Sequence, residues 1–199
     1  MKAVITGDII NSKSVNPEQW ILMLKETLNL FGDEPKDWEI YRGDSFQIRV
    51  LPEDALHVAV LMKATIKQFK ELDVRMSIGI GQVEYEASKI TESNGLAFVR
   101  SGECFETLKK ENLAISSSSQ HFDKTMNLML SLAALTMDSW TSLSSEIIKL
   151  SLENPHMMQM EMAKLLNKSQ SNISIGLKRG GFDEIQRLLS YYKEEVIKL

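Results

Sequence analysis

Cysteine is almost absent from this chain of 199 residues, which contains only Cys104. A single cysteine excludes an internal disulfide and any zinc site built from several thiolates. The three histidines, His57, His121 and His156, are far apart in the sequence and do not suggest a shared site. The composition therefore predicts a protein of a reducing compartment.

Long hydrophobic runs are lacking as well. The most apolar stretch, MNLMLSLAALTM at residues 126–137, is too short to cross a bilayer and is interrupted by Ser131. The N-terminal residues have neither the basic segment nor the long apolar segment of a signal peptide. We therefore expect no membrane span and a cytoplasmic location.

Positive charge is in short supply, because the net charge is −4. This balance argues against a chain that coats nucleic acid along its whole length. Residues 1–153 carry 16 Lys and Arg against 22 Asp and Glu, whereas residues 154–199 carry 7 against 5. An acidic body followed by a slightly basic end suggests two modules.

The hydrophobic patterns that are present predict an α+β protein. Residues 1–118 show the order β-α-β-β-α-β-α-β, and the first six of these elements have the connectivity of a ferredoxin-like palm. Residues 119–153 are helical, Met- and Leu-rich, and predict connecting helices. Residues 154–199 predict an all-α module. In the palm, Gly79-Ile80-Gly81 lacks the third glycine of a dinucleotide loop and predicts close backbone packing.

Two acidic residues stand at strand ends that this connectivity brings together. Asp8 ends the first strand, and Asp44 lies at the tip of a predicted hairpin in YRGDSF. Neighbouring carboxylates repel unless a cation neutralises them, and hard oxygen ligands suit Mg²⁺ or Mn²⁺. The alternative is turn chemistry, because Gly-Asp is a common strand terminator. Arg42 is a candidate anchor for a ligand phosphate, or else a local ion-pair partner.

These segments resemble the class III nucleotide cyclases. AVITGDIINS resembles their first strand, YRGDSFQIRV their Gly-Asp hairpin, and VRMSIGIGQV the strand that follows. The resemblance implies that Asp8 and Asp44 bind the metal, Mg²⁺ or Mn²⁺, that accompanies a nucleotide. It further implies that the nucleotide phosphates face the backbone of Ile9, Ile10, Asn11 and Ser12.

The resemblance to cyclases ends at the helix that would complete catalysis. Cyclases carry an Asn there and, four residues later, an Arg, which stabilise the transition state. In GLAFVRSGE the aligned positions are Val99 and Glu103. An apolar side chain cannot orient the sugar, and a carboxylate cannot neutralise developing phosphate charge. Arg100 is one position away and points about 100° from the required direction. Enzymatic activity stays open, with a non-catalytic palm favoured.

The segment HMMQMEMAKLLNKSQSNISIGLKRGGF predicts helix, tight turn, helix. Asn167 stands where a left-handed turn residue is needed, and Ser169 is a good N-cap for the second helix. Ile173 and Leu177 would form the buried side of that helix. The segment resembles the helix-turn-helix of bacterial transcription regulators.

That resemblance implies DNA binding by the second helix. Short or amide side chains near its N-terminus can reach base edges, and cations at its two ends can contact phosphates. The alternative is a helical hairpin used only for packing or dimerisation. The candidate base-reading residues are Gln170, Ser171, Asn172 and Ser174, and the candidate phosphate contacts are Lys168, Lys178 and Arg179.

Taken together, a ferredoxin-like, nucleotide cyclase-like palm followed by an all-α helix-turn-helix module resembles the SatD family. The matching segments are ITGDIINS, YRGDSF and GLAFVRSGE. The leading hypothesis is a DNA-binding transcription regulator, homodimeric through residues 121–153, whose palm senses a nucleotide or is a degenerate scaffold. The alternatives are a metal-dependent cyclase or nucleotidyl transferase, and a non-catalytic interaction protein.

Overall fold

The computed structural model describes residues 1–109 and 111–199 of the chain. These residues form a mixed five-stranded sheet and eight α-helices, so the prediction of an α+β protein is confirmed. The strands are β1 (Lys2–Ile10), β2 (Trp38–Tyr41), β3 (Ser45–Val50), β4 (Asp73–Gly81) and β5 (Leu113–Ser116). The helices are α1 (Pro17–Asn29), α2 (Ala55–Ile66), α3 (Leu96–Thr107), α4 (Gln120–Met137), α5 (Ser142–Glu153), α6 (Gln159–Leu165), α7 (Gln170–Arg179) and α8 (Phe182–Val196).

The strand order in the sheet is β2-β3-β1-β4-β5. The central strand β1 is antiparallel to both β3 and β4, β2 is antiparallel to β3, and β5 is parallel to β4. Asp8, near the end of β1, lies opposite Ser45 of β3 and opposite Arg75 of β4. The register thus fixes the neighbours of Asp8 on both sides.

One face of the sheet carries the main hydrophobic core. Ala3, Ile5 and Ile9 of β1 point to this face, as strand alternation requires, and pack with α1 and α2. Residues 55–66 of α2 are buried all round except for His57, because α5 and α8 cover the side of α2 that faces away from the sheet. The later helices therefore share one core with the sheet.

The opposite face of the sheet is covered by α3, and the glycines of β4 allow the close approach. A Cβ at Gly79 would lie closer than 3.0 Å to the backbone nitrogen of Ser101 and the backbone oxygen of Ala97. Gly81 is crowded by the backbone of the same helix. The Ser77 hydroxyl donates to the Ser101 carbonyl at 2.7 Å. The prediction that the Gly-Ile-Gly segment serves backbone packing is confirmed.

A buried lysine joins the sheet layer to the later helices. Lys63 of α2 is enclosed, and its ammonium lies 2.8 Å from Asp73 at the start of β4 and 2.7 Å from Asp138 at the end of α4. Lys67 makes a further ion pair with Asp73 at 3.1 Å. This charge network fixes α2, β4 and the end of α4 relative to one another.

A second, smaller hydrophobic cluster lies among α5, α6 and α7. Ile147, Met162, Ala163 and Ile173 are buried in it. The helix α5 belongs to the predicted connecting segment 119–153, whereas α6 and α7 belong to the predicted module 154–199, and that boundary stays a prediction. Among the described residues, none of the helices is long and apolar enough to cross a membrane.

Candidate functional site

The structure places Asp8 and Asp44 at the same end of the sheet. The Ile9 amide donates to the Asp44 carbonyl at 3.0 Å, so the end of β1 is attached to the hairpin tip. The Ser12 hydroxyl, in the turn after β1, donates to the Asp44 carboxylate at 2.7 Å. We call Asp8, Ser12, Arg42 and Asp44 the acidic edge. Its two carboxylates come from segments that are paired through their backbones.

Unusual backbone conformations shape the acidic edge. Arg42 and Gly43, between β2 and β3, both have positive φ, 54° and 92°, which makes the tight reversal before Asp44. No atom in the part of the chain that the structure describes lies within 4 Å of an added Cβ at Gly43, so its φ is the feature that favours glycine. Asn11 also has a positive φ, 60°, and turns the chain towards Ser12.

Arg75 is the residue of this site that the sequence interpretation missed. Its guanidinium donates to both oxygens of Asp8, from Nε at 3.2 Å and from Nη2 at 2.9 Å. The same guanidinium lies 4.6 Å from the ring centroid of Phe105 on α3, a cation–π arrangement. The only sequence signal was a basic residue in β4 that the register places opposite Asp8.

The acidic edge offers a divalent cation two carboxylates, those of Asp8 and Asp44. Two carboxylates are enough for Mg²⁺ or Mn²⁺ when ligand phosphates and waters complete the shell. The part of the chain that the structure describes contains no group of three or more His, Cys, Asp and Glu suited to a metal. Both oxygens of Asp8 accept hydrogen bonds from Arg75, so a metal at Asp8 would compete with the guanidinium. Among the described residues, the Asp44 carboxylate accepts a side-chain hydrogen bond only from the Ser12 hydroxyl.

The other residues predicted to contact a nucleotide differ in their burial and in their hydrogen bonds. The Ile9 amide is used by Asp44 and is therefore not free for a phosphate. Ile10 is half-buried, Asn11 and Arg42 are exposed, and among the described residues Arg42 has no ion-pair partner. Tyr41 adjoins this edge, and burial raises the pKa of its phenol, which keeps it protonated as a donor at neutral pH.

The helix α3 carries the two positions that the predicted cyclase resemblance aligns with catalytic side chains. Val99 and Glu103 are both exposed on it. Arg100 is the only cation in α3, all of which is described, and its Nη1 donates to the Ile80 carbonyl at 2.6 Å. That hydrogen bond ties α3 to the end of β4. Burial raises the pKa of Cys104, on the same helix, to about 11, so its thiol stays protonated.

The predicted turn between α6 and α7 has the expected conformation. Asn167 is left-handed, with φ of 51°, and the Ser169 hydroxyl accepts from the Asn172 amide at 3.2 Å as an N-cap. Ile173 is fully buried against α5, and Gly176 lets α7 approach Ile147 closely. Both local predictions, the left-handed turn at Asn167 and the cap at Ser169, are confirmed.

The side of α7 that faces away from α5 is polar and open to solvent. All of the residues predicted to contact DNA are exposed there or in the preceding turn. The two ends of this helix carry the cations, and the first two turns carry the short polar side chains. We call this set the α7 surface, and its members are Lys168, Gln170, Ser171, Asn172, Ser174, Lys178 and Arg179.

The fold and sites define an α+β protein with an acidic edge on its sheet and an exposed polar helix near its end. The SatD family model matches residues 2–188. The chain belongs to the SatD family. No curated protein and no solved structure matches it. Both the acidic edge and the α7 surface lie within the matched residues.

Proposed function

We propose that this chain is a cytoplasmic DNA-binding transcription regulator in which α6 and α7 act as a helix-turn-helix. The observation that carries the proposal is the α7 surface. A capped helix is held against α5 by Ile173 and leaves short polar side chains exposed over its first two turns. A helix entering the major groove reads base edges with this N-terminal part.

The charges at the α7 surface support phosphate binding despite the acidic chain. Lys168 precedes the helix, and Lys178 and Arg179 occupy its last turn. No ion pair within the described residues neutralises any of these three. Unpaired cations at both ends of a groove-entering helix can contact phosphates on either side of it.

The sheet supports the second part of the proposal, a ferredoxin-like palm related to that of nucleotide cyclases. The order β4-β1-β3-β2, with every adjacent pair antiparallel, is the order that split β-α-β connectivity produces. In this proposal the palm is a ligand sensor or scaffold, because α3 offers Val99 and Glu103 where a cyclase needs transition-state groups. Since α5 contacts both α2 and α7, it joins the palm to the DNA reader.

A homodimer fits the exposed side of α4. Leu128, Leu132 and Leu135 are 63%, 60% and 77% exposed. Their spacing of four and three residues forms a seam on one side of a helix, which a second copy can cover with its own seam. Two-fold pairing would present two α7 surfaces to one duplex. Light scattering should then give twice the 22.6 kDa chain mass, and a monomer would exclude the dimer.

The first prediction concerns salt-dependent DNA affinity. The triple variant Lys168→Ala/Lys178→Ala/Arg179→Ala should bind a random-sequence duplex much more weakly. Its slope of log K against log salt should be shallower by up to about 3 per chain, since each phosphate contact contributes roughly 0.9. Fluorescence anisotropy over a salt series measures both quantities.

The matched control is a triple variant with the same charge change on the palm, Lys13→Ala/Lys36→Ala/Lys70→Ala. These lysines are exposed and lie outside the α7 surface. Equal losses in both triple variants would assign the effect to net charge and contradict the proposal. Selection from a random DNA pool should also return different sequences for Asn172→Ala, because a lost base contact changes preference by about 1–3 kcal/mol.

A second candidate function is nucleotide sensing at the acidic edge. Its support is the pairing of β1 with the hairpin, which brings the two carboxylate-bearing segments together. When bound, a divalent cation would neutralise nucleotide phosphates, with Asp44 and Asp8 as its protein ligands. A cyclase or nucleotidyl transferase would use the same edge, but α3 lacks the expected catalytic side chains. A chain used only for interactions would need neither site.

The second prediction concerns thermal stability with nucleotide. GTP or ATP with Mn²⁺ should raise Tm, because a ligand that binds the folded state stabilises it. Asp44→Asn should abolish the rise, and Arg75→Met should enlarge it by freeing Asp8. Asp33→Asn, at an exposed carboxylate elsewhere, is the control and should keep the rise. No rise in wild type or in Arg75→Met would leave Asp44 as turn chemistry.

A further inference from the structure

A cleft of about 680 Å³ lies between α4, the end of α7 and the first half of α8. Its volume is within the range of small-molecule sites. Apolar side chains from two helices that are far apart in the sequence line much of it. These residues are Met129, Leu132 and Ala133 of α4 and Ile185 and Leu188 of α8.

Cations surround the apolar part of the cleft. Lys178 and Arg179, from the last turn of α7, and Arg187, from α8, all line it. The one carboxylate among the lining residues is Glu184, which pairs with Arg187 at 2.8 Å. Three cations against one carboxylate give the cleft a net positive charge beside an apolar wall.

We propose that this cleft binds a small amphipathic anion, an acyl chain with a carboxylate head, and that this ligand competes with DNA. The competition rests on the proposed function, because Lys178 and Arg179 belong both to the cleft and to the α7 surface. A carboxylate that engages these two cations removes them from DNA phosphates. The ligand would therefore release the chain from DNA.

The cations and the apolar side chains that line the cleft together favour this ligand. A nucleotide would satisfy the cations but would leave the leucines of the cleft without an apolar partner. A neutral hydrocarbon would fill the apolar part and leave the cations without a counter-charge. A second copy would offer the exposed leucines of its α4, which carry no charge to pair with the cations of the cleft. These leucines lie on the neighbouring side of α4, and Leu132 is the only one of them that lines the cleft. A free medium-chain carboxylate satisfies both parts.

A short turn between α7 and α8 connects the cleft to α7, the proposed DNA-reading helix. The Trp140 indole donates to the Gly180 carbonyl at 2.9 Å, which fixes the residue after α7 against the connection between α4 and α5. Gly181 then takes a positive φ of 64° and lines the cleft. An occupant thus contacts the segment that holds the end of α7 in place.

The test compares decanoate with decanol on the full chain, both below the concentrations at which they aggregate. Anilinonaphthalene sulfonate, itself an amphipathic anion, reports occupancy by its fluorescence. Decanoate should displace it saturably, and decanol should be roughly tenfold weaker because it lacks the charge. Equal displacement by the two compounds would overturn recognition of the head group.

Two variants locate the binding. Ala133→Phe places a bulky ring among the apolar side chains that would hold the acyl chain and should abolish decanoate binding. Arg187→Gln should weaken it by up to roughly fivefold, the upper end for an exposed ion pair, while DNA affinity stays unchanged because Arg187 is outside the α7 surface. If decanoate displaces the dye from both variants as well as from wild type, the assignment of the cleft is wrong. Arg187→Gln keeps the test valid if Ala133→Phe fails to fold.

DNA titrations separate this inference from the proposed function. Saturating decanoate should weaken binding of wild type to DNA and should not affect Ala133→Phe. Binding of DNA without any binding of decanoate would overturn the cleft assignment alone. Binding of decanoate without any binding of DNA would support the cleft assignment and refute both the DNA proposal and the competition.

Discussion

Removing both carboxylates that face Lys63, in Asp73→Asn/Asp138→Asn, should lower the free energy of unfolding by about 3–5 kcal/mol. The Lys63 side chain is only 2% exposed, and its ammonium has both carboxylates within 2.8 Å. Without them a buried positive charge has no counter-charge, which is the costly way to break a buried ion pair. Urea unfolding followed by circular dichroism measures the loss.

The two single variants should differ in size. Asp73 is 17% exposed and Asp138 is 42% exposed, so solvent screens the interaction with Asp138 more strongly. Asp73→Asn should therefore cost more stability than Asp138→Asn. Asp183→Asn, at an exposed carboxylate in the first turn of α8, is the control and should cost no more than about 1 kcal/mol, the size of its interaction with the helix dipole.

Adding Lys63→Met to the double variant should recover most of the lost stability. Methionine has nearly the length of lysine and fills the same buried space without a charge, and apolar replacement of a whole buried ion pair is often neutral or better. A triple variant that is no more stable than the double variant would contradict the electrostatic explanation. The loss would then come from the packing or hydrogen bonding of the two aspartates.

This network also shows why the sequence did not predict the burial of Lys63. The segment ALHVAVLMKATI places a lysine among apolar residues, a position where a solvent-exposed side would be expected. The helix is enclosed because α5 and α8, from the far end of the chain, cover it. Burial of Lys63 is therefore a property of the tertiary fold and follows from no local pattern.

The acidic edge likewise has some features that the sequence predicts and others that it does not. Local chemistry placed Asp44 at the hairpin tip, since Arg42 and Gly43 supply the two positive φ angles of that turn. The connectivity placed Asp8 beside it. The ion pair of Asp8 with Arg75 depends on the exact register of β1 against β4 and on Phe105 from α3, which the sequence does not specify.

The α7 surface was the most predictable of the sites, because its determinants are local. A left-handed residue at Asn167, a cap at Ser169 and an apolar residue at Ile173 lie within seven positions of one another. The cleft beside it was the least predictable. It is formed by three helices, and Ala133 and Arg187 are brought together only by the packing of α4 against α8.

Gly79→Ala should destabilise the protein by about 3 kcal/mol or more and lower Tm by roughly 6–12 °C. The added Cβ would lie closer than 3.0 Å to the backbone of Ser101 and Ala97. Backbone atoms of a helix cannot rotate away as the end of a flexible side chain can. The whole of α3 would have to move off the sheet, and the hydrogen bond from Ser77 to the Ser101 carbonyl would lengthen or break.

The matched control adds the same methyl group to Gly102 of α3, the helix that packs against Gly79. An added Cβ at Gly102 has no heavy atom of the described residues within 4 Å, so Gly102→Ala should meet open space. Because alanine favours the helix, this variant should be as stable as wild type or more stable by up to about 1 kcal/mol. Thermal unfolding of the two variants distinguishes close packing from a general effect of alanine. Near-equal Tm values would show that α3 can move away from β4 at little cost, and that the glycines of β4 are not required for contact between the two elements.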